Sequence, residues 1–175
     1  GLVGSEMCIR DRRCAVTRTD QDALKGETAH TLVIPTTLKE IGPYAFAYMQ
    51  NLKRVVIPSS VRTIKRGAFA GCTNLSSITI EPGVTLIEGT AFAGTAITSI
   101  TLPNTVKDLQ TYAFGECKKL TTVKFPVGIK KISENLFEGC ESITSVVVPS
   151  TVTEIGSSAY SGCKRPVSYT HLRAH

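Results

Sequence analysis

Residues 61–82 read VRTIKRGAFAGCTNLSSITIEP, and this stretch decides the fold. Its Ala68-Phe69 pair has five counterparts elsewhere in the chain: Ala45-Phe46, Ala91-Phe92, Ala113-Phe114, Leu136-Phe137 and Ala159-Tyr160. The successive spacings are 23, 23, 22, 23 and 23 residues. A fixed period of this length indicates stacked structural repeats.

Aliphatic residues recur at fixed offsets from the aromatic residue. The position five residues before it holds Ile41, Ile64, Ile87, Leu109, Ile132 and Ile155. The position three residues earlier holds Leu38, Val61, Val84, Val106, Ile129 and Val152. After the aromatic residue come β-branched segments with alternating polarity, such as Ser77–Ile80, and a proline follows them: Pro35, Pro58, Pro82, Pro103, Pro126 and Pro149. These segments predict short strands that end at proline, which cannot continue a ladder.

The repeats predict a solenoid in which each unit forms one coil. Equivalent strands of successive coils should lie parallel, about 4.8 Å apart, so that six of them form one sheet roughly 25 Å long. The leg from Val61 to Ile64 is predicted to be a second short strand or an extended bend. The stretch from Ala68 to Gly71 is predicted to form a helical turn, with Phe69 at the coil centre.

The recurring motif I-x-x-x-A-F-x-x-C-x-x-L-x-x-[IV]-x-[IL]-P resembles the BspA-type leucine-rich repeat over about residues 31–163. The resemblance implies a leucine-rich-repeat solenoid of about 5.5 repeats, mostly β with short helical turns, whose parallel strands stack in right-handed coils. Members of that family are often displayed on the surfaces of bacteria and protists, where some act in adhesion. An extracellular or cell-surface location is therefore implied, although the sequence alone leaves localisation open.

The two ends do not fit the repeat. Residues 1–12 and 164–175 resemble translated sequencing-adapter sequence and are expected to be artefactual and disordered. Residues 13–30 are expected to be an N-terminal lead-in or a degenerate repeat. On this interpretation the chain is a fragment of a longer repeat protein, and the histidines at 171 and 175 carry no function.

The composition, 42% hydrophobic and 19% charged over 175 residues, is that of a folded protein and excludes a disordered polyelectrolyte. The chain contains no run of about 18 apolar residues, so no transmembrane segment is predicted. It contains no G-x-G-x-x-G or P-loop motif and only three histidines. Carboxylates recur in one repeat column, at Glu40, Asp108 and Glu154, as a solvated edge would require. We therefore predict a non-enzyme with no cofactor.

Four cysteines share one repeat column, three residues after the aromatic residue: Cys72, Cys117, Cys140 and Cys163. Stacked side chains with parallel Cβ vectors have poor geometry for a disulfide. We predict buried, reduced thiols that act as small hydrophobic residues. No metal site is predicted, because there is no C-x-x-C pair and no histidine near the cysteines.

The outward strand positions form the candidate partner-binding face. They combine many hydroxyl groups with little charge, which suits a protein or a glycan, although Ser and Thr also suit an exposed strand that binds nothing. The face consists of Arg54, Val56, Ser77, Thr79, Ser99, Thr101, Thr122, Lys124, Ser145 and Val147.

A second candidate surface is a basic stripe made of Lys39, Arg62, Lys107 and Lys130. The net charge of +6 makes an anionic polymer a candidate partner. No aromatic residues alternate with the basic ones, so there is no specific nucleic-acid motif. The sequence thus predicts a non-catalytic binding scaffold for a protein or glycan, and the family resemblance implies a surface location and a role in adhesion. An intracellular protein-interaction scaffold and a polyanion binder are the alternatives.

Overall fold

Each repeat makes one turn around a common axis and contributes a front strand and a back strand. The computed structural model describes residues 30–164, in which six successive coils begin at residues 31, 54, 77, 99, 122 and 145. The front strands are β1 (Thr31–Val33), β3 (Arg54–Ile57), β5 (Ser77–Ile80), β7 (Ser99–Thr101) and β9 (Thr122–Lys124). The back strands are β2 (Glu40–Ile41), β4 (Thr63–Ile64), β6 (Leu86–Ile87), β8 (Asp108–Leu109), β10 (Lys131–Ile132) and β11 (Glu154–Ile155).

The front strands are parallel, as predicted, but they do not form one continuous sheet. Strands β1, β3 and β5 form a three-stranded sheet, and β7 pairs with β9 separately. In the sixth coil the described chain has no front strand, only an isolated bridge at Ser145. The predicted sheet of six strands is therefore wrong, and the front of the solenoid is divided between β5 and β7.

The division coincides with the one short repeat. Phe92 and Ile97 are five residues apart, whereas the equivalent Phe69 and Leu75 are six apart. The shortened turn brings the Ala96 amide onto the Leu75 carbonyl, at 2.9 Å. No pairing of β5 with β7 follows within residues 30–164.

The back strands keep the coils together across this division. Strands β2, β4, β6 and β8 form one parallel ladder, in which Ile41, Ile64, Ile87 and Leu109 are successive partners. Strands β10 and β11 continue the arrangement as a pair. The prediction of a second short strand is confirmed, and the break at the front is local.

The stretch around each phenylalanine is a pair of consecutive turns, and the predicted helical turn is absent from the described residues. In the second coil the Ala68 amide donates to Lys65 O at 3.2 Å, and the Ala70 amide donates to Gly67 O at 3.0 Å. The Phe69 amide points along the axis instead and donates to Ala91 O of the next coil at 2.8 Å. Alternate amides thus bond within the coil and between coils, which a helix would not allow.

The aromatic residues form a continuous stack in the centre of the solenoid. Phe46, Phe69, Phe92, Phe114 and Phe137 are all buried. Their successive ring centroids lie 5.4, 5.5, 5.5 and 5.8 Å apart, and Tyr160 follows Phe137 at 5.4 Å. The aliphatic columns surround the stack, so each coil buries its apolar side chains against the next one.

Candidate binding surfaces

All ten residues of the predicted partner-binding face point away from the core. Ser77 is half-buried, and the other nine residues are exposed. The strand register places Arg54 beside Ser77, Val56 beside Thr79 and Ser99 beside Thr122, with Thr101 beside Lys124. Ser145 and Val147 follow in the sixth coil, where no strand forms.

The division between β5 and β7 turns part of this face into a cleft of about 490 Å³. Five hydroxyl residues line it, Ser76, Ser77, Thr79, Ser99 and Thr101, together with Pro82 and Pro103. We call this feature the hydroxyl cleft. The spacing of 22 residues between Leu75 and Ile97 was the sequence signal that could have located it.

Ser76 Oγ donates to Lys53 O at 3.4 Å, but the other four hydroxyl groups, of Ser77, Thr79, Ser99 and Thr101, are available to a partner. Within residues 30–164 none of them makes a side-chain hydrogen bond, whereas other hydroxyl groups of the solenoid join neighbouring coils. Thr105 Oγ1 donates to Val84 O at 2.7 Å, and Thr151 Oγ1 donates to Ile129 O at 2.7 Å. The cleft therefore offers donors and acceptors that the fold itself does not use.

The basic stripe runs along one edge of the back ladder. Arg62 follows Lys39 on the next coil, where its amide donates to Lys39 O at 2.8 Å, and Thr85 separates Arg62 from Lys107. Lys39, Arg62, Lys107 and Lys130 are all exposed. The stripe thus places four cations on one side of the solenoid, with a gap at the third coil.

Three carboxylates near the stripe pair with other lysines. Glu40 and Glu88 lie 3.7 and 3.4 Å from Lys65 Nζ, and Glu154 lies 2.9 Å from Lys131 Nζ. In the described part of the chain no ion pair involves the four residues of the basic stripe. Their charges therefore remain available to an anion.

The four cysteines of the repeat column are free, and Cys72, Cys117 and Cys140 are buried as predicted, while Cys163 is half-buried. Each buried thiol donates to a phenylalanine carbonyl of the preceding coil, as Cys72 Sγ does to Phe46 O at 3.0 Å. Burial raises the pKa of Cys72 to about 12. The hydrogen bond with Cys117, followed by burial, raises the pKa of Cys140. A buried thiol that stays protonated is a poor nucleophile, so Cys72 and Cys140 serve packing. The same hydrogen bond with Cys140 lowers the pKa of the buried Cys117.

Sequence reasoning missed a set of tyrosines on the turns. Two positions in every coil have left-handed backbone, and Gly67 and Gly71 occupy them in the second coil. In other coils the same positions hold Tyr44, Tyr48 and Tyr112, with φ of 53°, 62° and 62°. The alignment of these tyrosines with glycine columns was a signal that could have drawn attention to them.

Neither a metal site nor a membrane span is visible in the residues that the structure describes. Among residues 30–164 no group of three or more His, Cys, Asp or Glu side chains could hold a metal ion. The same residues include no helix capable of crossing a membrane.

The coiled architecture and its two exposed surfaces define the chain as a leucine-rich-repeat solenoid, a class of protein-interaction scaffold. The profile of the BspA type Leucine rich repeat region matches residues 39–166 in six copies. The chain therefore belongs to the BspA-type leucine-rich-repeat family, as its repeat motif indicated.

Solved bacterial structures agree with this assignment. A leucine-rich repeat protein from Bacteroides ovatus is similar with 29% identity and a TM-score of 0.76, over 85% of this chain and 38% of that one. The leucine-rich repeat protein of T. pallidum is 30% identical with a TM-score of 0.62, over 80% of this chain and 79% of that one. A leucine-rich repeat protein from Eubacterium ventriosum shares the fold at 22% identity, with a TM-score of 0.67 over 84% of this chain and 46% of that one.

The chain spans well under half of the length of the Bacteroides ovatus protein. Comparison with curated proteins gives no match.

Proposed function

We propose that the protein is a non-catalytic binding scaffold whose front face engages a protein partner, in surface adhesion. The observation that carries the proposal is the hydroxyl cleft at the centre of the exposed face. It is a recessed site whose hydrogen-bonding groups the solenoid leaves unused.

The partner-binding face has the composition that a protein interface needs. Its centre has hydroxyl groups and no charged side chain, while Arg54 and Lys124 lie toward its two sides. Val56 and Val147 are 38% and 72% exposed, so apolar contacts are available at both ends. Uncharged hydrogen-bonding groups framed by exposed apolar and cationic side chains suit a protein surface that is desolvated on contact.

The surface location and the adhesive role rest on the family. The chain belongs to the BspA type, and that resemblance implies display at a cell surface. A rigid solenoid suits this task because its binding groups are fixed in place before the partner arrives, which lowers the ordering cost of association.

The proposal is tested by placing a charge in the hydroxyl cleft. The chain is assayed for binding to immobilised extracellular matrix proteins, as the unaltered protein and as the Thr101→Arg variant. A buried, unpaired charge at a protein interface is costly, so we expect Thr101→Arg to weaken binding at least about tenfold. The matched control is Thr36→Arg, which adds the same side chain at an exposed threonine in the turn between β1 and β2, outside the partner-binding face and the basic stripe.

The controls separate the outcomes. Equal binding by Thr101→Arg and Thr36→Arg would show that the partner uses another surface. Failure of the unaltered protein to bind any of the matrix proteins would contradict the adhesive role.

A second function, binding of an anionic polymer, is favoured by the unpaired charges of the basic stripe. We expect binding to heparin to decrease steeply with salt, because each neutralised anionic group releases counterions. Replacing Arg62, Lys107 and Lys130 together with glutamine should then abolish retention on heparin. The matched control replaces the same number of cations, Lys65, Lys118 and Lys131, whose charges are already paired with carboxylates. Loss of retention in both variants would indicate a general charge effect instead of a site.

A further inference from the structure

A groove crosses the turns on a side of the solenoid that the proposed function does not use. Its floor is formed by Thr90, Ala93 and Gly94 of the third coil. Tyr44 and Tyr48 lie on one side of it, and Tyr112 lies on the other, together with Glu116. We call this feature the tyrosine groove.

The small residues of the second coil let the tyrosines of the first coil lean toward the groove. A Cβ atom added to Gly67 would overlap the Tyr44 ring, and one added to Gly71 would overlap the Tyr48 ring. At Gly94 in the third coil no tyrosine fills the corresponding space, and the nearest atoms are the backbone of Gly71 at 3.7 Å. The tyrosine rings of the first coil thus cover the turns of the second coil only, and the turns of the third coil form the floor of the groove.

The groove has two connected parts. One part has a volume of about 320 Å³ and lies between the tyrosines. The other, of about 420 Å³, continues past Thr90 along Arg66, Gln110 and Ser133. Both parts share Tyr44, Thr90 and Tyr112. Volumes of about 300–1,000 Å³ are typical of sites for small organic ligands.

The tyrosines are not explained by folding alone. Their backbone lies in the left-handed region, which costs a non-glycine residue roughly 1–2 kcal/mol and which glycine enters freely. Tyr48 is also 55% exposed, so its ring contributes little to the core. Tyr44 and Tyr112 are half-buried against Gly67 and Gly115, and the part of each ring that stays exposed at these strained positions is available for contact with a ligand.

The chemistry of the lining indicates the kind of ligand. Aromatic faces offer flat apolar surfaces, and Gln110 adds a neutral donor and acceptor. The Thr90 and Ser133 hydroxyls donate to Gly89 O and Leu109 O, so they add acceptors. Arg66 and Glu116 have opposite charges, so the groove does not favour one sign of ligand charge. Rings combined with neutral hydrogen-bonding groups match the alternating apolar faces and hydroxyl rims of a sugar.

We propose that the tyrosine groove binds a short neutral saccharide, stacked on Tyr44 and Tyr112 and hydrogen-bonded by Thr90 and Gln110. This site is independent of the partner-binding face, so either can fail without the other. It would give the scaffold separate surfaces for a protein and for a glycan.

The test uses four neutral probes: maltohexaose, cellohexaose, mannohexaose and N-acetylchitohexaose. Binding to the full chain is measured by isothermal titration calorimetry, and by tyrosine fluorescence, which the absence of tryptophan makes observable. We expect at least one probe to bind, with an affinity that changes less than about twofold between 0.15 and 0.5 M salt, since the ligand has no charge to screen.

Tyr112→Gly is the informative variant because glycine fits the left-handed backbone at this position. The variant should fold normally. It should bind the probe at least about tenfold more weakly, because it lacks one well-placed aromatic contact. The matched control is Asn135→Gly, at the equivalent left-handed position of the fifth coil (φ 53°), which does not line the groove. This control should bind as the unaltered chain does.

Three outcomes would overturn the proposal. They are the absence of binding to all four probes at millimolar concentration, equal binding by Tyr112→Gly and Asn135→Gly, and binding that is lost in Thr101→Arg. The last result would assign the saccharide to the hydroxyl cleft instead.

Discussion

Replacing Phe92 with alanine should destabilise the protein strongly, because this ring lies in the middle of the aromatic stack. Phe69 and Phe114 flank it, each at a centroid distance of 5.5 Å and nearly parallel. The ring is fully buried, with 0% exposure. No neighbouring side chain can move into the space without leaving its own column.

The expected loss follows from the buried area. An aromatic side chain buries about 150–250 Å², which at about 25 cal/mol per Å² corresponds to roughly 4–6 kcal/mol. Measured Phe→Ala substitutions in cores cost about 3–5 kcal/mol, since part of the cavity collapses. We therefore expect Phe92→Ala to lower the free energy of unfolding by about 4 kcal/mol. This is a large fraction of the roughly 5–15 kcal/mol that holds a domain together.

The measurement is urea denaturation followed by far-UV circular dichroism. Phe92→Leu, which keeps most of the volume, should cost about 1–2 kcal/mol and guards against complete unfolding of the alanine variant. The control is Val127→Ala, whose side chain is 70% exposed and whose loss should change stability by less than about 0.5 kcal/mol.

A loss below about 2 kcal/mol for Phe92→Ala would refute the reasoning. It would mean that the coils re-pack around the missing ring and that the aromatic stack is not a rigid column. Equal effects of Phe92→Ala and Val127→Ala would show that the stack does not carry the stability of the solenoid.

Three further predictions concern the thiols and the turns. Burial raises the pKa of Cys72 from 9.0 to about 12, so the unfolded chain releases this proton first and stability falls as pH rises above 9 toward 12. The melting temperature should therefore fall more steeply between pH 9 and 10.5 in the unaltered protein than in the Cys72→Thr variant. Threonine is chosen because Thr95 occupies the same repeat column. Parallel curves of melting temperature against pH would contradict this prediction. Gly71→Ala should lower the free energy of unfolding by at least about 1–2 kcal/mol, because φ is 70° there and the new Cβ would overlap the Tyr48 ring. An unchanged urea midpoint would show that the turn can relax. In native protein, iodoacetamide should modify the half-buried Cys163 well before the buried Cys72, as peptide mapping by mass spectrometry would reveal; the reverse order would be inconsistent with the burial described.

Much of the solenoid was predictable because its interactions repeat. Strand pairs such as Val55 with Ile78 join residues one period apart, and the columns of aliphatic residues reveal that period directly. The same alignment placed the four cysteines in one column, of which Cys163 alone is half-buried and the others buried, and the ten face residues on the outside. Family membership followed from the same columns.

The departures lie where the repeat is imperfect. One missing residue between Phe92 and Ile97 separates β5 from β7, and the size of such an effect depends on how the flanking strands adjust. The helical turn was wrong because alternate amides bond to the next coil, as Phe69 does to Ala91 O at 2.8 Å. A contact between coils cannot be read from the local preference of one segment.

The sequence by itself determined the period, the identity of the buried columns and the family. In a solenoid each residue packs against the equivalent residue of the next repeat, so aligning the repeats shows which residues are neighbours. Only the tertiary structure decided where the exposed side chains form sites. The hydroxyl cleft depends on a break between two strands, and the tyrosine groove depends on which rings lean over glycines of the next coil. The physical reason is that burial acts on every coil alike, whereas a cleft arises from the difference between one coil and its neighbours.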